Sequence, residues 1–191
     1  GCALEDILFV QALAIPAVET RTIQALFSPE EKTVRLISFA ADAQADGAWV
    51  EHLSARLGDA PAPPAPVSLP ELQARCQREM PGSAIHSAME QHQFRLGADF
   101  QWVESLWRGE GEILCRMKGL NDFAGAAEYQ LHPGLIDSCF QPFFLTVSAE
   151  EGLSFVPFAV EKFVFYRHPG SARQLWCHAT FREPTKQGGE R

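Results

Sequence analysis

Apolar residues recur in short runs through the first third of the chain, and in helical spacing or longer runs after it. Ile7 to Leu13, Thr20 to Phe27, Thr33 to Ala40 and Trp49 to Leu57 are each short, rich in apolar residues and partly β-branched, which predicts four strands. Pro16, Ser28-Pro29 and the stretch from Asp42 to Gly47 punctuate them. Leu69 to Glu79 and Ala84 to Gln93 switch to helical spacing with good helix formers. Gln101 to Arg108 and Glu110 to Lys118 read as strands joined through Arg108-Gly109-Glu110-Gly111, whose glycines favour a tight reversal or bulge. A helix opens at Pro133 and is predicted to run to about Val147, followed by strands over Ser154 to Tyr166 and Gln174 to Arg182. A helix set among antiparallel strands is an α+β layout, in the form of a helix wrapped by a curved sheet.

The Pro133 helix carries the candidate chemistry. Proline suits the first helical position, and His132 precedes it as a possible cap. Asp137 and Gln141 lie four residues apart and share a face, while Leu135, Ile136, Phe140, Phe143 and Phe144 spread around the rest of the cylinder. That distribution predicts a helix buried nearly all round. A carboxylate in such a place must be paired, metal-bound or protonated, because an isolated buried charge costs several kcal/mol or more.

Between the two kinds of pattern, four prolines within Pro61 to Pro66 can join neither a central strand nor a helix interior. They mark residues 58–70 as a connector between a segment 1–57 and a segment 71–191. The net charge of −8 over 191 residues and the scattered Lys and Arg exclude a nucleic-acid surface, which needs a concentrated basic patch. Five cysteines, an odd number without C-x-x-C spacing, read as reduced thiols of an intracellular, cytoplasmic protein, with neither disulfides nor zinc expected. No run approaches the roughly 18 apolar residues of a membrane span, so no membrane partner is expected. The chain starts at Gly1-Cys2 without methionine and ends in a polar tail, which reads as a piece of something larger.

The string His132-Pro133-x-x-x-Asp137-x-x-x-Gln141 resembles the second active-site motif of dehydratase domains in modular polyketide synthases and related fatty acid synthases. Gly97-Ala98-Asp99-Phe100-Gln101, followed by Leu106-Trp107-Arg108-Gly109-Glu110-Gly111-Glu112, is similar to that family's G-P-x-F-Q and W-R-x-x-x-E strand pair. Phe155-Val156-Pro157-Phe158 resembles its proline-containing strand, and Thr22-Ile23-Gln24 with Trp49-x-x-His52 resemble late strands of its first half. Each motif alone is weak; five in one order carry the assignment.

The resemblance implies a double hotdog fold, incomplete at both ends, with 1–57 as the remainder of the first hotdog half and 71–191 as part of the second. It implies elimination of water from a 3-hydroxyacyl thioester to give an enoyl thioester. Asp137 would be the general acid and Gln141 its support, with Leu96, Gly97, Phe100, His132, Pro133 and Pro157 toward the substrate. No cofactor is implied; the substrate rides on the phosphopantetheine arm of an acyl carrier protein. The carrier protein, neighbouring synthase domains and a second copy in a homodimer are the implied partners. The family's catalytic histidine does not map: its H-x-x-x-G-x-x-x-x-P motif should precede Leu4, so this chain by itself is expected to be inactive.

As an acid Asp137 has to carry a proton, which burial favours and a helix N-terminus opposes. Without the resemblance, Asp137 reads as a cap or paired carboxylate, Gln141 as a core amide and His132 as a cap. His86, His92, His168 and His178 read as surface or strand residues, and no histidine pair has the spacing of a helical metal site. Leu96 and Ala98 stand where the family usually has tyrosine and proline, which leaves chain-length and stereochemical preference open. The alternatives are a non-catalytic structural double-hotdog segment of a megasynthase, and a related double-hotdog isomerase or cyclase. An intact Asp137 speaks against the isomerase.

Overall fold

The computed structural model describes residues 2–18, 20–40, 49–146 and 158–182. Among these, the strands are β1 Cys2–Phe9, β2 Arg21–Ser28, β3 Thr33–Ala40, β4 Val50–Asp59, β5 Arg78–Pro81, β6 Val103–Arg108, β7 Glu112–Lys118, β8 Ala159–Val164 and β9 Gln174–Thr180. The α-helices are α1 Leu69–Arg75, α2 Ser83–Gln91 and α3 Pro133–Phe140. They form two compact units, Gly1–Pro64 with Phe155–Arg167, and Ala65–Ser154 with His168–Arg191.

The first unit is an antiparallel sheet in the order β2-β3-β4-β1-β8. β1 starts earlier than the apolar run from Ile7 predicts, because pairing with β4 begins at Cys2↔Asp59 and takes β4 two residues into the expected connector. Ala3 and Ile7 are its buried residues, and the register shifts between Glu5 and Leu8, where Asp6 adopts a left-handed backbone with φ 49°. After glycine, a short polar residue tolerates that conformation best, and Arg56 Nε donates to its Oδ2 at 2.8 Å. In the buried layer, Ser38 Oγ lies 2.7 Å from His52 Nε2, and His52 Nδ1 lies 3.0 Å from the Gln11 carbonyl. The carbonyl can only accept, so Nδ1 carries the proton and Nε2 accepts from the serine hydroxyl. His52 therefore fastens the chain leaving β1 to β4, with both ring nitrogens engaged.

The second unit is built in layers around the antiparallel sheet β5-β6-β7-β9. Alternation along β7 sends Ile113, Cys115 and Met117 to one face, where they meet Ile85 and Met89 of α2, Trp102 and Leu106, and Leu135 of α3. Leu114 points the other way, onto Leu72 and Cys76 beneath α1, beside Trp107 and Trp176. Full burial of a side chain such as Ile85, Leu106 or Ile113 stabilises by about 1.5–3 kcal/mol. The glycine reversal between β6 and β7 forms as predicted, with Gly111 at φ 66° and Gly109 N–H donating to Glu112 O at 2.9 Å.

Three expectations change. The helix predicted over Leu69 to Glu79 ends at Arg75, and Arg78–Pro81 becomes an edge strand with Met80 opposite Leu106. Local propensity yields there to pairing with β6, and Pro81 is tolerated because an edge position leaves its missing N–H unneeded. The Pro133 helix ends at Phe140 and tightens into a 3-10 turn over Gln141–Leu145, because Pro142 lacks the N–H that would continue it. It is also not buried all round, since Phe140 and Phe143 are 50% and 41% exposed. The strand predicted from Ser154 is described from Ala159, where it pairs with β1; Pro157 lies outside the described residues.

An ion cluster ties α1 to the sheet. Arg75 clasps both oxygens of Glu112 at 2.8 and 3.0 Å, and His178 Nε2 of β9 lies 2.7 Å from Glu112 Oε2. Arg75 first and His178 second hold the Glu112 carboxyl down to about 2. The unfolded chain then takes up the proton first, so stability present above the usual 4.5 is lost as pH falls toward about 2. Glu112→Gln is expected to be less stable at pH 7 and to show a flatter loss between pH 5 and 3 than the parent, read by thermal melting. Identical acid slopes would refute the role of this cluster.

Candidate active site

Pro133 sits at the first turn of α3, and His132 is its N-cap, with Nδ1 accepting from Gly134 N–H at 3.1 Å. That bond requires an unprotonated Nδ1, so the neutral ring carries its proton on Nε2. His132 is 8% exposed, with its ring centroid 4.9 Å from that of Tyr129 and 5.2 Å from that of Trp102. Trp102 itself is fully buried, stacked on Phe123 at 3.9 Å, and donates its indole N–H to Asp99 O at 2.8 Å.

The sheet-facing side of α3 is defined by Gly134, Leu135, Ser138 and Gln141, all buried. It presses on the short 3-10 turn Ala98–Phe100 that leads into β6. At Gly134 a β-carbon would come within 2.0 Å of Asp99 O and 2.8 Å of Trp102 Nε1. Glycine here serves close approach of two backbones.

One turn along, the carbonyl of Phe100 becomes a shared acceptor. Ser138 Oγ donates to it at 2.9 Å and Gln141 Nε2 at 2.8 Å, while Ser138 Oγ accepts from Trp102 N–H at 3.4 Å. Gln141 Nε2 donates its second hydrogen to Asp137 Oδ2 at 2.7 Å. Both partners of Nε2 are acceptors, which fixes the amide with its nitrogen toward them. Gln141 Oε1 is buried and has no hydrogen-bond partner among the described residues. Asp137 is half-buried, and among the described residues its Oδ1 has no hydrogen-bond partner. The carboxyl is thus gripped at one oxygen and open at the other.

The remaining sequence candidates divide. Phe100 supplies the shared carbonyl and is half-buried. Gly97 caps the 3-10 turn, and nothing lies within 4 Å of where its β-carbon would be. Leu96 lines a small cavity of about 100 Å³ with His86, Met89, Glu90, Phe94 and Gln101; Asp137 is not among the lining residues. Ser138 and Gly134 went unnoticed in the sequence reading. Their signal was there, since positions 134, 138 and 141 form one stripe of small and polar residues on an apolar helix.

Cysteine chemistry does not join the site. Burial pushes the Cys115 thiol up to about 12, and Cys177 is pushed up by its hydrogen bond to Cys139 and then by burial. Cys139 Sγ faces Met117 Sδ at 4.0 Å. Among the described residues no group of His, Cys, Asp or Glu is arranged to hold a metal ion.

The family described as "Polyketide synthase dehydratase N-terminal domain" matches residues 64–191, more than half of the chain and the part that carries this geometry. An inactive histidine-to-phenylalanine mutant of the CurJ dehydratase, solved in complex with a compound, is 40% identical with a TM-score of 0.79. That alignment covers 93% of this chain and 61% of the other. The dehydratase domain from the CurJ module of the curacin polyketide synthase is 38% identical, with a TM-score of 0.78 and coverage of 93% and 62%. The dehydratase domain from the CurF module is 25% identical, with a TM-score of 0.76 and coverage of 96% and 67%. This chain therefore spans about three fifths of the first two. The antiparallel sheets and their helices match these hotdog-fold structures. No curated protein matches the sequence.

Gly134→Ala sets helix propensity against the close approach to Asp99. Alanine favours a helix interior by about 1 kcal/mol, but a contact of 2.0 Å with a backbone oxygen cannot be relieved by a side-chain rotation. The variant is expected to be destabilised by ~2 kcal/mol, seen as a lower Tm. An unchanged or raised Tm would mean that α3 withdraws from the turn without cost.

Proposed function

Because the chain belongs to the polyketide synthase dehydratase family, we propose that it supplies the acid of a dehydratase site, with Asp137 as the general acid and Gln141 as its positioning residue. The observation that carries this reading is the one-sided grip on the carboxyl: Gln141 donates to Oδ2 at 2.7 Å and leaves Oδ1 open. In a protonated carboxyl the carbonyl-type oxygen is the stronger acceptor, so the Gln141 bond to Oδ2 favours the acid's proton on Oδ1, facing the leaving hydroxyl. A base removes the proton next to the thioester carbonyl, the electron pair forms the carbon–carbon double bond, and the carbon–oxygen bond breaks. Oδ1 delivers its proton to the departing oxygen, which leaves as water. The sequence balances with two protein groups, and no step calls on a cofactor.

The base comes from beyond the six histidines of this chain. His52 has both nitrogens engaged, His132 caps α3, and His178 faces Glu112. His168 lies against Tyr129 O, His92 packs on the Phe144 ring, and His86 borders the separate cavity. One relative is described as inactive after a histidine-to-phenylalanine change, which supports a histidine as the complementary group. The exposed rings of Phe140 and Phe143, on the side of α3 away from the sheet, offer apolar surface to an acyl chain. The substrate we assign is a 3-hydroxyacyl thioester on the phosphopantetheine arm of an acyl carrier protein. The carrier protein and neighbouring synthase domains are then the partners, within a dimeric synthase of the cytoplasm. Of the positions that the family resemblance points toward the substrate, Gly97, Phe100 and Pro133 belong to the turn and helix that carry Asp137 and would lie beside it.

Asp137→Asn in the full-length synthase keeps the shape of the side chain and its bond to Gln141 but has no acidic proton. It is expected to lower dehydration by about 10²–10⁴-fold, with the 3-hydroxyacyl product accumulating in mass spectrometry of the carrier protein. Turnover at the parent rate would sink the acid assignment.

A further inference from the structure

We propose that Ser138 is a positioning residue for dehydration, acting on the Asp137–Gln141 pair through the carbonyl of Phe100. The proposal rests on the reading of Asp137 as the acid. Ser138 is fully buried, and its hydroxyl points out of its own helix rather than back to it. The hydroxyl accepts from Trp102 N–H at 3.4 Å, which turns its hydrogen toward Phe100 O, 2.9 Å away.

The consequence lies in the orientation of the Gln141 amide. Among the described residues its Oε1 has no partner, so none of them resists an amide flip at that atom. A flip would turn the oxygen onto Phe100 O and Asp137 Oδ2, two acceptors now 2.8 and 2.7 Å from the nitrogen. Repulsion forbids it only while the Phe100 carbonyl stays aimed at Gln141. Ser138 holds it there from the second lone pair, between Gly134, where α3 already touches the turn, and Gln141 three residues on. Removing the hydroxyl frees the carbonyl to rotate, and Gln141 then no longer enforces which oxygen of Asp137 carries the proton.

The test is a double-mutant cycle in the full-length synthase, with carrier-bound 3-hydroxyacyl substrate and Asp137→Asn as reference. Ser138→Ala is expected to lower kcat by about tenfold with KM unchanged, since a misaligned acid slows the reaction without loosening the substrate. Gln141→Ala should cost at least as much, and the double variant should be no slower than Gln141→Ala alone, because both residues act through one carbonyl. If Ser138→Ala fails to fold, Ser138→Cys replaces it, filling the space with a weak donor. A parent kcat in the serine variant, an effect carried by KM, or additive losses in the double variant overturn the proposal and leave Asp137 as the acid. Turnover by Asp137→Asn overturns both.

Discussion

The contact between α3 and the turn before β6 sets everything else in the second unit's site. Gly134 lets the helix come so near Asp99 that the Phe100 carbonyl falls within reach of Ser138 and Gln141. Trp102, buried and bonded to Asp99 O, keeps the turn from retreating, while Ile85, Leu106 and Leu135 close the core beneath. A missing β-carbon at one position thus becomes hydrogen-bond geometry one turn later. Burial supplies most of the stabilisation, and its rigidity is what gives the polar contacts a fixed meaning.

Polar groups in this region are arranged so that each fixes the next. The buried amide of Gln141 faces two acceptors, so its orientation is determined, and that orientation engages Oδ2 of Asp137 rather than Oδ1. The unpaired Oε1 costs on the order of 1–3 kcal/mol by ordinary accounting for a buried acceptor. Such a deficit calls for an explanation in a native structure, and it lies within one side chain of the Asp137 carboxyl. His52 shows the contrasting case in the first unit, where serine and backbone satisfy both nitrogens and no reactive atom is left over.

Much of this was legible beforehand. The short, apolar and partly β-branched run from Thr33 to Ala40, the glycines of Arg108-Gly109-Glu110-Gly111 and the proline at the start of α3 state their local structures directly, and β3, the turn and the helix start lie where they predict. Asp137 and Gln141 could be paired from their spacing because helix geometry is local and regular. Less legible were Arg78 to Pro81, which have helix-compatible neighbours but lie beside β6, and the early start of β1, which depends on a partner some fifty residues away. Pro142 announced the end of α3 in the sequence, yet the apolar run around it suggested a longer helix.

By itself the sequence determined the α+β class, the family through its ordered motifs, and the pair Asp137 and Gln141 on one helical face, since each follows from short-range periodicity or residue identity. Only the tertiary structure decided which atom of each group is engaged. That the Phe100 carbonyl takes two donors, that Oδ2 is gripped while Oδ1 stays open, and that Phe140 and Phe143 remain exposed all depend on what another segment brings alongside. A hydrogen bond is settled by the position of both partners to a fraction of an ångström, and the sequence specifies one partner at a time.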